Sequence, residues 1–418
     1  MSGDCALGID VGTSGVRAAI LDPSGDIHVE AATRMDALGA NLRDPSIWRR
    51  TLHATLTALW KDSDPACIGA VSVDGTSGTV LALDAQGAPV GDALMYNDAV
   101  QDDRIVARIA SVAPRESAAH GASSGLARAM TLQDRAGVVR IVHQADWIAS
   151  LFANAPVASD ESNALKTGYD PVHRHWPDWI EEAGLAPQHL PEVVPAGTVT
   201  GHASGHLGVP VGALMVAGVT DGCASFLATG ASAPGDGVTA LGTTLTIKLL
   251  SNAPVFAPQY GIYSHRIGSR WLAGGASNTG GGVLATFFDD GTLAALSEQL
   301  DPTQPSGLDY YPLSAPGERF PISDPALPPR LDPRPADDAV FLQGMLEGMA
   351  RIEADGYARL AELGAPALRS IRTVGGGATN VPWSRIRQGA LGVPVARARS
   401  TSAAAGVARL ALEALRQQ

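Results

Sequence analysis

The sequence predicts an α/β protein of two consecutive lobes with a cleft between them. Three β-rich runs each enter a Gly-Thr-Ser or Gly-Thr-Thr turn and leave it as a second β-rich run. These runs span residues 9–20, 71–83 and 239–250. Stretches with helical spacing separate the second run from the third. A small-residue linker at 231–237 predicts the boundary, so we expect domains at 1–230 and 237–418.

Length and composition bound the class of protein. The 418 residues can form two or three domains, and 45% of them are apolar, enough for sizeable cores. Only 5% are aromatic whereas 47 are glycine, which favours tight turns and small-residue contacts. The net charge of −12 argues against a dominant basic surface, so no nucleic-acid partner is expected.

The three cysteines, Cys5, Cys67 and Cys223, show no metal-ligand spacing and cannot all pair within one chain. A reducing compartment is the simplest interpretation. The N-terminus has no signal-peptide pattern, and the longest apolar run, 209–219, is too short and glycine-rich to span a bilayer. We therefore expect a cytoplasmic protein without a membrane partner.

The elements of the first lobe begin with a strand that leads into Asp10. A small-residue turn and a second strand follow, and the latter ends in a hairpin turn at 22–25. The second β-rich run ends in a similar turn at 84–87. Apolar residues at helical spacing cover 126–142, and this character continues through 143–152.

A buried strand is predicted at 214–220, and a helix starts at its N-cap, Asp221 or nearby, and runs to 229. Beyond the linker the sequence predicts a hairpin, a long amphipathic helix, a strand and a final helix. These elements span 261–274, 339–363, 370–374 and 402–415.

Asp10 and the turn after it form the first candidate site. A single carboxylate beside free backbone N–H groups suits a metal-bound polyphosphate. Asp10 would hold magnesium or its waters, and phosphate oxygens would contact the turn residues Gly12, Thr13, Ser14 and Gly15. The alternative is an ordinary hairpin with an Asx turn, although a half-buried carboxylate usually has a partner or a role.

Asp221 is the second candidate, because it follows a buried strand and precedes a helix. A carboxylate at this place either caps the helix or faces the cleft as a general base. In the second role it would take a proton from a hydroxyl nucleophile.

Two glycine-rich segments of the second lobe are further candidates. Amides and hydroxyls of Gly242, Thr243 and Thr244 would contact the β- and γ-phosphates, with more N–H donors from 274–283. A plain turn and a flexible linker are the alternatives. Three glycines after a strand, 375–377, let a flat group approach the backbone. A helix-to-strand connector is the weaker alternative there.

Other motifs give weaker evidence of a functional site. His173 and His175 could share a face of an extended segment and bind a metal, but their neighbours Arg174 and Trp176 favour a solvated loop. The sequence contains neither a Walker-type P-loop nor a Gly-x-Ser-x-Gly elbow. If the protein uses ATP, it does so by another phosphate-binding device.

Taken in this order, four motifs resemble those of the FGGY family of carbohydrate kinases, over nearly the whole chain. They are GIDVGTSG at 8–15, GVTDG at 218–222, LGTT at 241–244 and GGGATN at 375–380, with 383–395 after it. Each motif alone is weak evidence, whereas four in the right order and spacing are strong. The resemblance implies a two-lobed ATPase fold of the actin and hexokinase type, in which a ribonuclease H-like domain is duplicated around an interdomain cleft.

The resemblance also implies ATP and Mg²⁺ as cofactors. Asp10 would lie near Mg-ATP and the transferring phosphoryl group, and Asp221 would activate the sugar hydroxyl. The adenine would be flanked by Gly376, Gly377 and Asn380. Transfer would be in line and would rest on positioning and charge neutralisation, with lobe closure excluding water.

The acceptor segment departs from the pattern of typical xylulokinases, which carry a Gly-Gln-Met-His-Gly-like stretch after the second-unit strand. Here residues 74–78 read Asp-Gly-Thr-Ser-Gly. With 95–98, this stretch resembles the short xylulokinase-like proteins of cyanobacteria and plants, a subgroup associated with D-ribulose. The polyol would be hydrogen-bonded by the polar side chains of Asp74, Thr76, Ser77, Asn97 and Asp98.

The leading hypothesis is an ATP-dependent kinase that converts D-ribulose to D-ribulose 5-phosphate. D-Xylulose or another polyol is the alternative acceptor. An alternative of another class is a sugar-responsive regulatory ATPase without efficient transfer, which would not need a base at Asp221. The expected partner is a small-molecule sugar, and a homodimer is possible.

Overall fold

The computed structural model describes residues 3–418, which divide into two compact units. The first unit comprises the chain up to residue 228 together with 265–269 and 402–418. The second unit comprises 229–264 and 270–401.

Strands are numbered along the described chain. They are β1 (Cys5–Val11), β2 (Gly15–Leu21), β3 (Ile27–Arg34), β4 (Ile68–Gly75), β5 (Val80–Leu83), β6 (Arg140–His143), β7 (Ser159–Asp160), β8 (Val193–Val194), β9 (Val199–His202), β10 (Leu214–Val216), β11 (Asp236–Leu241), β12 (Leu245–Ser251), β13 (Tyr263–Ile267), β14 (Arg270–Ala276) and β15 (Ser370–Val374).

The α-helices are numbered in the same way. They are α1 (Pro45–Leu59), α2 (Asp103–Val112), α3 (Gly125–Gln133), α4 (Gln144–Ala153), α5 (Glu161–Ala164), α6 (Trp179–Ala183), α7 (Asp221–Ala228), α8 (Gly281–Leu284), α9 (Asp290–Ser297), α10 (Asp338–Glu362), α11 (Val381–Leu391) and α12 (Ala403–Leu415).

The first unit is built on a six-stranded sheet of order β3-β2-β1-β4-β10-β9. Strands β1, β4 and β10 are parallel, and β2 and β3 continue from β1 as an antiparallel meander. All eight residues of β4 are buried because helices α4 and α12 pack on its two faces. A central parallel strand covered on both faces has this continuous burial.

The C-terminal helix α12 packs in the first unit, although it follows the second unit in sequence. Its alanine- and glycine-rich surface lies directly on β1 and α7. A Cβ added at Gly8 would collide with the carbonyl of Ala404, and one added at Gly406 would collide with that of Ala224. These close approaches hold β1, which carries Asp10, beside α7, which begins at Asp221.

The second unit is built on the neighbouring strands β14, β12, β11 and β15 of a five-stranded sheet of order β13-β14-β12-β11-β15. Strands β11 and β12 form a hairpin, and β15 lies parallel to β11 with Thr239 opposite Thr373. The long helix α10 buries Leu342, Met345 and Met349 in the core of this unit. Helix α11 packs against α10.

Most predicted elements are confirmed, but the helix predicted over 126–142 is wrong in its second half. Helix α3 ends at Gln133, and Arg140–His143 forms β6, antiparallel to β5. Gly137 in the intervening loop has a φ of +86°, which breaks the helix. Four apolar-rich residues are too few for their spacing to separate a strand from a helix.

The second β-rich run is not a copy of the first hairpin. Strand β5 pairs with β6 in a separate two-stranded sheet and not with β4. The predicted domains, 1–230 and 237–418, stay predictions. The compact units differ from them in grouping residues 402–418 with the first unit.

The three cysteines are free thiols. Burial, and next the neighbouring thiol of Cys67, raises the pKa of Cys5 to about 12. Within residues 3–418, no helix combines the length and the apolar character needed to cross a membrane.

Candidate active site

Three aspartates lie at the carboxyl edge of the sheet in the first unit. Asp10 on β1 stands opposite Asp74 on β4. Gly75 pairs in parallel with Thr220, the residue before Asp221. Because these segments run in the same direction, their carboxyl ends meet at one edge of the sheet. The structure therefore brings together three predicted site residues that are separated by 64 and 147 positions (74 − 10 and 221 − 74) in the sequence.

Asp10 is buried and forms an ion pair with Arg17, whose Nη1 donates to Asp10 Oδ2 at 2.9 Å. Asp10 and Arg17 are cross-strand partners in the β1–β2 hairpin. The turn between them is closed by the N–H of Gly12, which donates to the carbonyl of Gly15 at 3.0 Å. Thr13 and Ser14 at its tip are exposed, as a phosphate-binding turn requires.

Asp74 is 0% exposed, and no N–H or O–H group of the described residues donates to either of its carboxyl oxygens. Burial, followed by the neighbouring carboxyl of Asp10 and the charge of Asp221, raises the pKa of Asp74 well above its ordinary value. The positive charge of Arg17 lowers the pKa of Asp74 and so opposes this rise. Asp74 therefore binds its proton more tightly than an ordinary carboxyl group, and its full burial leaves no surface for a sugar.

Asp221 is the most accessible of the three carboxylates, being half-buried at the start of α7. Its Oδ1 accepts the N–H of Gly222 at 2.6 Å. The preceding peptide is fixed because Thr220 N–H donates to Ser162 Oγ at 3.0 Å, and Ser162 Oγ–H donates to Asp160 Oδ1 at 2.6 Å. The structure thus holds this backbone firmly while the carboxylate stays within reach of solvent.

Two of the predicted acceptor residues are engaged within the protein. The N–H and the hydroxyl of Thr76 both donate to Gln144 Oε1, at 3.1 Å and 2.9 Å. The carboxylate of Asp98 is paired with Arg43, whose Nε donates at 2.9 Å. This hydrogen bond to Arg43 is the main reason that the pKa of Asp98 is lowered.

The other two acceptor candidates differ from each other. Asn97 is exposed. Ser77 Oγ is buried and has no hydrogen-bond partner among the described residues. Of the five predicted acceptor residues, only Asn97 therefore presents its side chain freely to solvent.

Four residues of this region are not predicted from the sequence: Arg17, Arg43, Arg128 and Gln144. Arg17 follows from the hairpin register, because a tight turn after Val11 places it opposite Asp10. The others meet their partners across 55, 50 and 68 positions respectively. No local pattern in the sequence signals such contacts.

In the second unit, the turn at 242–244 is held by two glycine amides. Gly281 N–H donates to the carbonyl of Gly242 at 2.8 Å, and Gly282 N–H donates to that of Thr243 at 2.9 Å. These two N–H groups from the predicted phosphate-binding run 274–283 are thus committed to the turn. Thr243 is exposed and Thr244 is partly exposed.

The segment after β15 gives its glycines different surroundings. A Cβ at Gly376 would meet nothing within 4 Å, whereas one at Gly377 would lie 2.5 Å from Cζ3 of Trp383. Asn380 caps α11 by accepting the N–H of Trp383 at 2.9 Å and also donates to Ser297 Oγ at 2.8 Å. Gly376 is therefore open to a flat group, whereas Gly377 packs on an indole of the protein.

A buried ion pair joins the elements that carry these two segments. Arg387 Nε and Nη2 donate to the two carboxylate oxygens of Glu353 at 2.6 Å and 2.7 Å. Arg387 Nη1 donates to Thr373 Oγ1 on β15 at 2.8 Å, and Thr239 on β11 donates to Glu353 Oε1 at 2.5 Å. The network therefore ties α10 and α11 to the strands that end at Leu241 and Val374.

Within residues 3–418, no group of three or more His, Cys, Asp or Glu side chains forms a ready metal site. His173 is exposed and its Nδ1 pairs with Asp170 Oδ2 at 2.7 Å. Mg²⁺ is commonly held by one or two carboxylates together with phosphate oxygens and waters. A single carboxylate at Asp10, beside the exposed turn tip of Thr13 and Ser14, fits that donor set.

Comparison with curated proteins identifies relatives that align with most of the chain. Residues 237–415 match the FGGY family of carbohydrate kinases, C-terminal domain. The autoinducer-2 kinase of Yersinia enterocolitica is 26% identical, over 94% of this chain and 83% of that protein. The gluconokinase of Bacillus subtilis is 23% identical, over 76% of this chain and 69% of that protein.

Solved structures share the fold. A xyloylose kinase from Brucella ovis superposes with a TM-score of 0.86 at 22% identity, covering 99% of this chain and 91% of that one. Plasmodium falciparum glycerol kinase with ADP gives 0.81 at 14% identity, covering 99% and 90%. Fold and relatives together define a phosphotransferase that acts on a sugar hydroxyl.

Residues 237–415 form a C-terminal domain of the FGGY carbohydrate kinase type, and the relatives of the chain are sugar kinases. The family, the fold class and the kinase activity expected from the four sequence motifs are thereby confirmed.

Proposed function

We propose that this kinase transfers the γ-phosphoryl group of Mg-ATP to a hydroxyl of a ketopentose, with D-ribulose as its acceptor and D-ribulose 5-phosphate as its product. The observation that carries the proposal is the meeting of Asp10, Asp74 and Asp221 at one sheet edge of the first unit. The Asp-Gly-Thr-Ser-Gly segment at 74–78, where xylulokinases differ, favours D-ribulose over D-xylulose.

Asp221 is the proposed general base. It is the accessible carboxylate of the three, and its backbone is fixed through Ser162. In this position it takes the proton of the acceptor hydroxyl as that oxygen attacks phosphorus. Asp10 pairs with Arg17 beside it, and the raised pKa of Asp74 favours the neutral form of that second carboxyl group.

The proposed donor is ATP with Mg²⁺. Asp10 and the turn 12–15, whose tip is exposed, would hold the metal-bound phosphates, and bound Mg²⁺ would neutralise charge on the transferring group. Thr243 and Thr244 are proposed to contact phosphate from the second unit. The open backbone at Gly376 is proposed to lie against the adenine.

A second candidate acceptor is autoinducer-2. It is favoured by the 26% identity to the autoinducer-2 kinase of Yersinia enterocolitica, which extends over 94% of this chain. The two acceptors differ in the arrangement of their hydroxyl groups, which a hydrogen-bonding site distinguishes strongly.

A coupled ADP-release assay tests the proposal with D-ribulose, D-xylulose, L-ribulose, gluconate, glycerol and autoinducer-2. We expect the highest kcat/KM for D-ribulose. A higher kcat/KM for autoinducer-2 or gluconate would show that the acceptor is that compound and not a ketopentose. ADP release that is the same with and without every acceptor would match a regulatory ATPase instead.

A cytoplasmic location and a homodimer complete the proposal. Cell fractionation tests the first, and size-exclusion chromatography with light scattering tests the second. Recovery in a membrane fraction or a monomeric mass would contradict them.

A further inference from the structure

Arg128 on α3 is 0% exposed and directs its guanidinium at main-chain carbonyls. Its Nε donates to the carbonyl of Asp98 at 2.9 Å and its Nη1 to that of Gly78 at 2.7 Å. Its Nη2 donates to the carbonyls of Ser123, at 2.8 Å, and Tyr96. Four hydrogen bonds from one side chain thus reach three separate stretches of the chain.

No carboxylate of the described residues forms an ion pair with Arg128. The carboxylate of Asp98, whose charge acts on Arg128, is paired with Arg43. Burial lowers the pKa of Arg128 to about 10, although Asp98 acts in the opposite direction. Burying a cation in this way is costly unless its donors are satisfied. An arginine whose hydrogen bonds all go to main-chain carbonyls holds segments of the backbone in place and does not neutralise a charged side chain.

The main chain that Arg128 organises carries the proposed acceptor residues. Gly78 lies in the loop 76–79 with Ser77, and Tyr96 and Asp98 lie in the loop 95–98 with Asn97. The approach at Gly78 is close, because a Cβ there would lie 3.2 Å from Arg128 Nη1. Gly78 and Tyr96 are 18 positions apart in sequence (96 − 78), and their two loops converge on this guanidinium.

We propose that Arg128 is a positioning residue for acceptor recognition, because its guanidinium fixes the loops 76–79 and 95–98 relative to each other. The inference rests on the proposed function in one respect, namely that these loops bind the acceptor. It adds a determinant of acceptor affinity that touches neither the acceptor nor the nucleotide. It also explains why an arginine stands here, since a lysine ammonium lacks the planar fork of five donors.

The test compares Arg128→Lys and Arg128→Ala with Arg135→Ala. Arg135 is a matched control because its Nη1 also donates to carbonyls, those of Val90 at 2.8 Å and Asp92 at 2.6 Å. These carbonyls lie outside both proposed acceptor loops. The KM and kcat are measured for ATP and for the acceptor that the wild type uses best among the six compounds above.

We expect Arg128→Lys to raise the KM for the acceptor by about 10- to 100-fold, the loss expected from hydrogen bonds to a charged group. The KM for ATP stays unchanged in the same variant. Arg135→Ala leaves both values unchanged. Added guanidinium ion partly restores the acceptor KM of Arg128→Ala, which a general loss of folding would not allow.

Equal rises in both KM values, a fall in kcat alone, or the same behaviour in Arg128→Lys and Arg135→Ala would each overturn the inference. Should Arg128→Ala be insoluble, Arg128→Lys decides, with its circular dichroism spectrum as the check on folding. The failure of the proposed function is distinguishable. A wild type that prefers gluconate or autoinducer-2 refutes the ketopentose, while Arg128 is still tested with the preferred compound.

Discussion

The two units each bury a group of charged side chains, but they balance the charges in opposite ways. In the second unit, both carboxylate oxygens of Glu353 accept hydrogen bonds from Arg387, and Nη1 of Arg387 donates to the hydroxyl of Thr373. In the first unit, Asp10, Asp74 and Asp221 meet at one sheet edge, where Arg17 pairs with Asp10 and no donor of the described residues reaches the carboxyl group of Asp74. The balanced group is a structural tie, and the unbalanced one has the character of a reactive site.

Burial alone does not make Asp74 unusual. Asp160 is buried in the same unit, but its carboxylate accepts hydrogen bonds from the N–H groups and side chains of Ser162 and Asn163. Asp74 receives none from the described residues. The two aspartates therefore differ in the hydrogen bonds that their carboxyl groups receive. Because Asp74 receives none from the described residues, its burial lowers the stability of the folded protein.

The largest expected effect concerns the unbalanced group. Asp221→Asn should lower kcat by about 10²- to 10⁴-fold, the usual contribution of a general base, because the amide cannot accept the proton. Nucleotide binding and the unfolding midpoint should change little. Coupled ADP release and calorimetric ATP titration measure the two quantities.

Asp290→Asn is the control for that experiment, since Asp290 also lies in the first turn of a helix but is exposed. It should keep full activity. Loss of ATP binding in a folded Asp221→Asn protein would show that this aspartate has been given the wrong role.

The next effect concerns the balanced group. Arg387→Met leaves Glu353 buried without its cation, which should cost about 3–5 kcal/mol in the free energy of unfolding. The double variant Glu353→Met/Arg387→Met should recover much of this loss, because no charge is then left unpaired. Urea denaturation measures both, and a single variant as stable as the wild type would contradict the argument.

The sequence predicts the reactive group better than the structural tie. Asp10 and Asp221 follow β-rich runs and precede turn or helix signals, so their place at strand ends can be inferred locally. Glu353 and Arg387 lie within helices and carry no such signal. Their pairing depends on how α10 and α11 pack, which no short pattern encodes.

In the acceptor region, too, contacts between residues far apart in the chain cannot be predicted from the sequence. The sequence predicts five polar side chains for a polyol, and their residue types suit that role. It does not reveal that Thr76 is occupied by Gln144 and Asp98 by Arg43, because those partners lie 68 and 55 positions away. Composition indicates which groups can form hydrogen bonds, whereas tertiary contacts decide which of them are left for a ligand.

A smaller effect is expected at Asp74. Asp74→Asn should raise the free energy of unfolding at neutral pH by about 1–3 kcal/mol, because the amide cannot ionise and so avoids the cost of burying a charge. The pKa of Asp74 is raised in the folded protein, so the wild type loses stability as pH rises from the ordinary value of 3.8 towards the folded value. The advantage of the variant should therefore grow with pH over that range.

Urea denaturation at several pH values measures this advantage. Asp160→Asn is the contrasting variant and should destabilise, because its four hydrogen bonds are made to a carboxylate. If Asp74→Asn and the wild type share the same pH dependence, the proton is not held at Asp74.

The smallest effect is expected for the pair of Arg43 and Asp98, where the arginine side chain is 50% exposed. Asp98→Asn should cost at most about 1 kcal/mol, because solvent screens such a pair. The pKa of Asp98 is lowered by Arg43, so the stabilisation is present above the ordinary value of 3.8 and is lost as pH falls through the folded value. Denaturation at pH 7 and in acid, with and without added salt, should show a difference that shrinks in acid and in salt. A loss of unfolding free energy as large as that of Arg387→Met would contradict the argument, because a solvent-exposed ion pair would then stabilise this protein as much as a buried one.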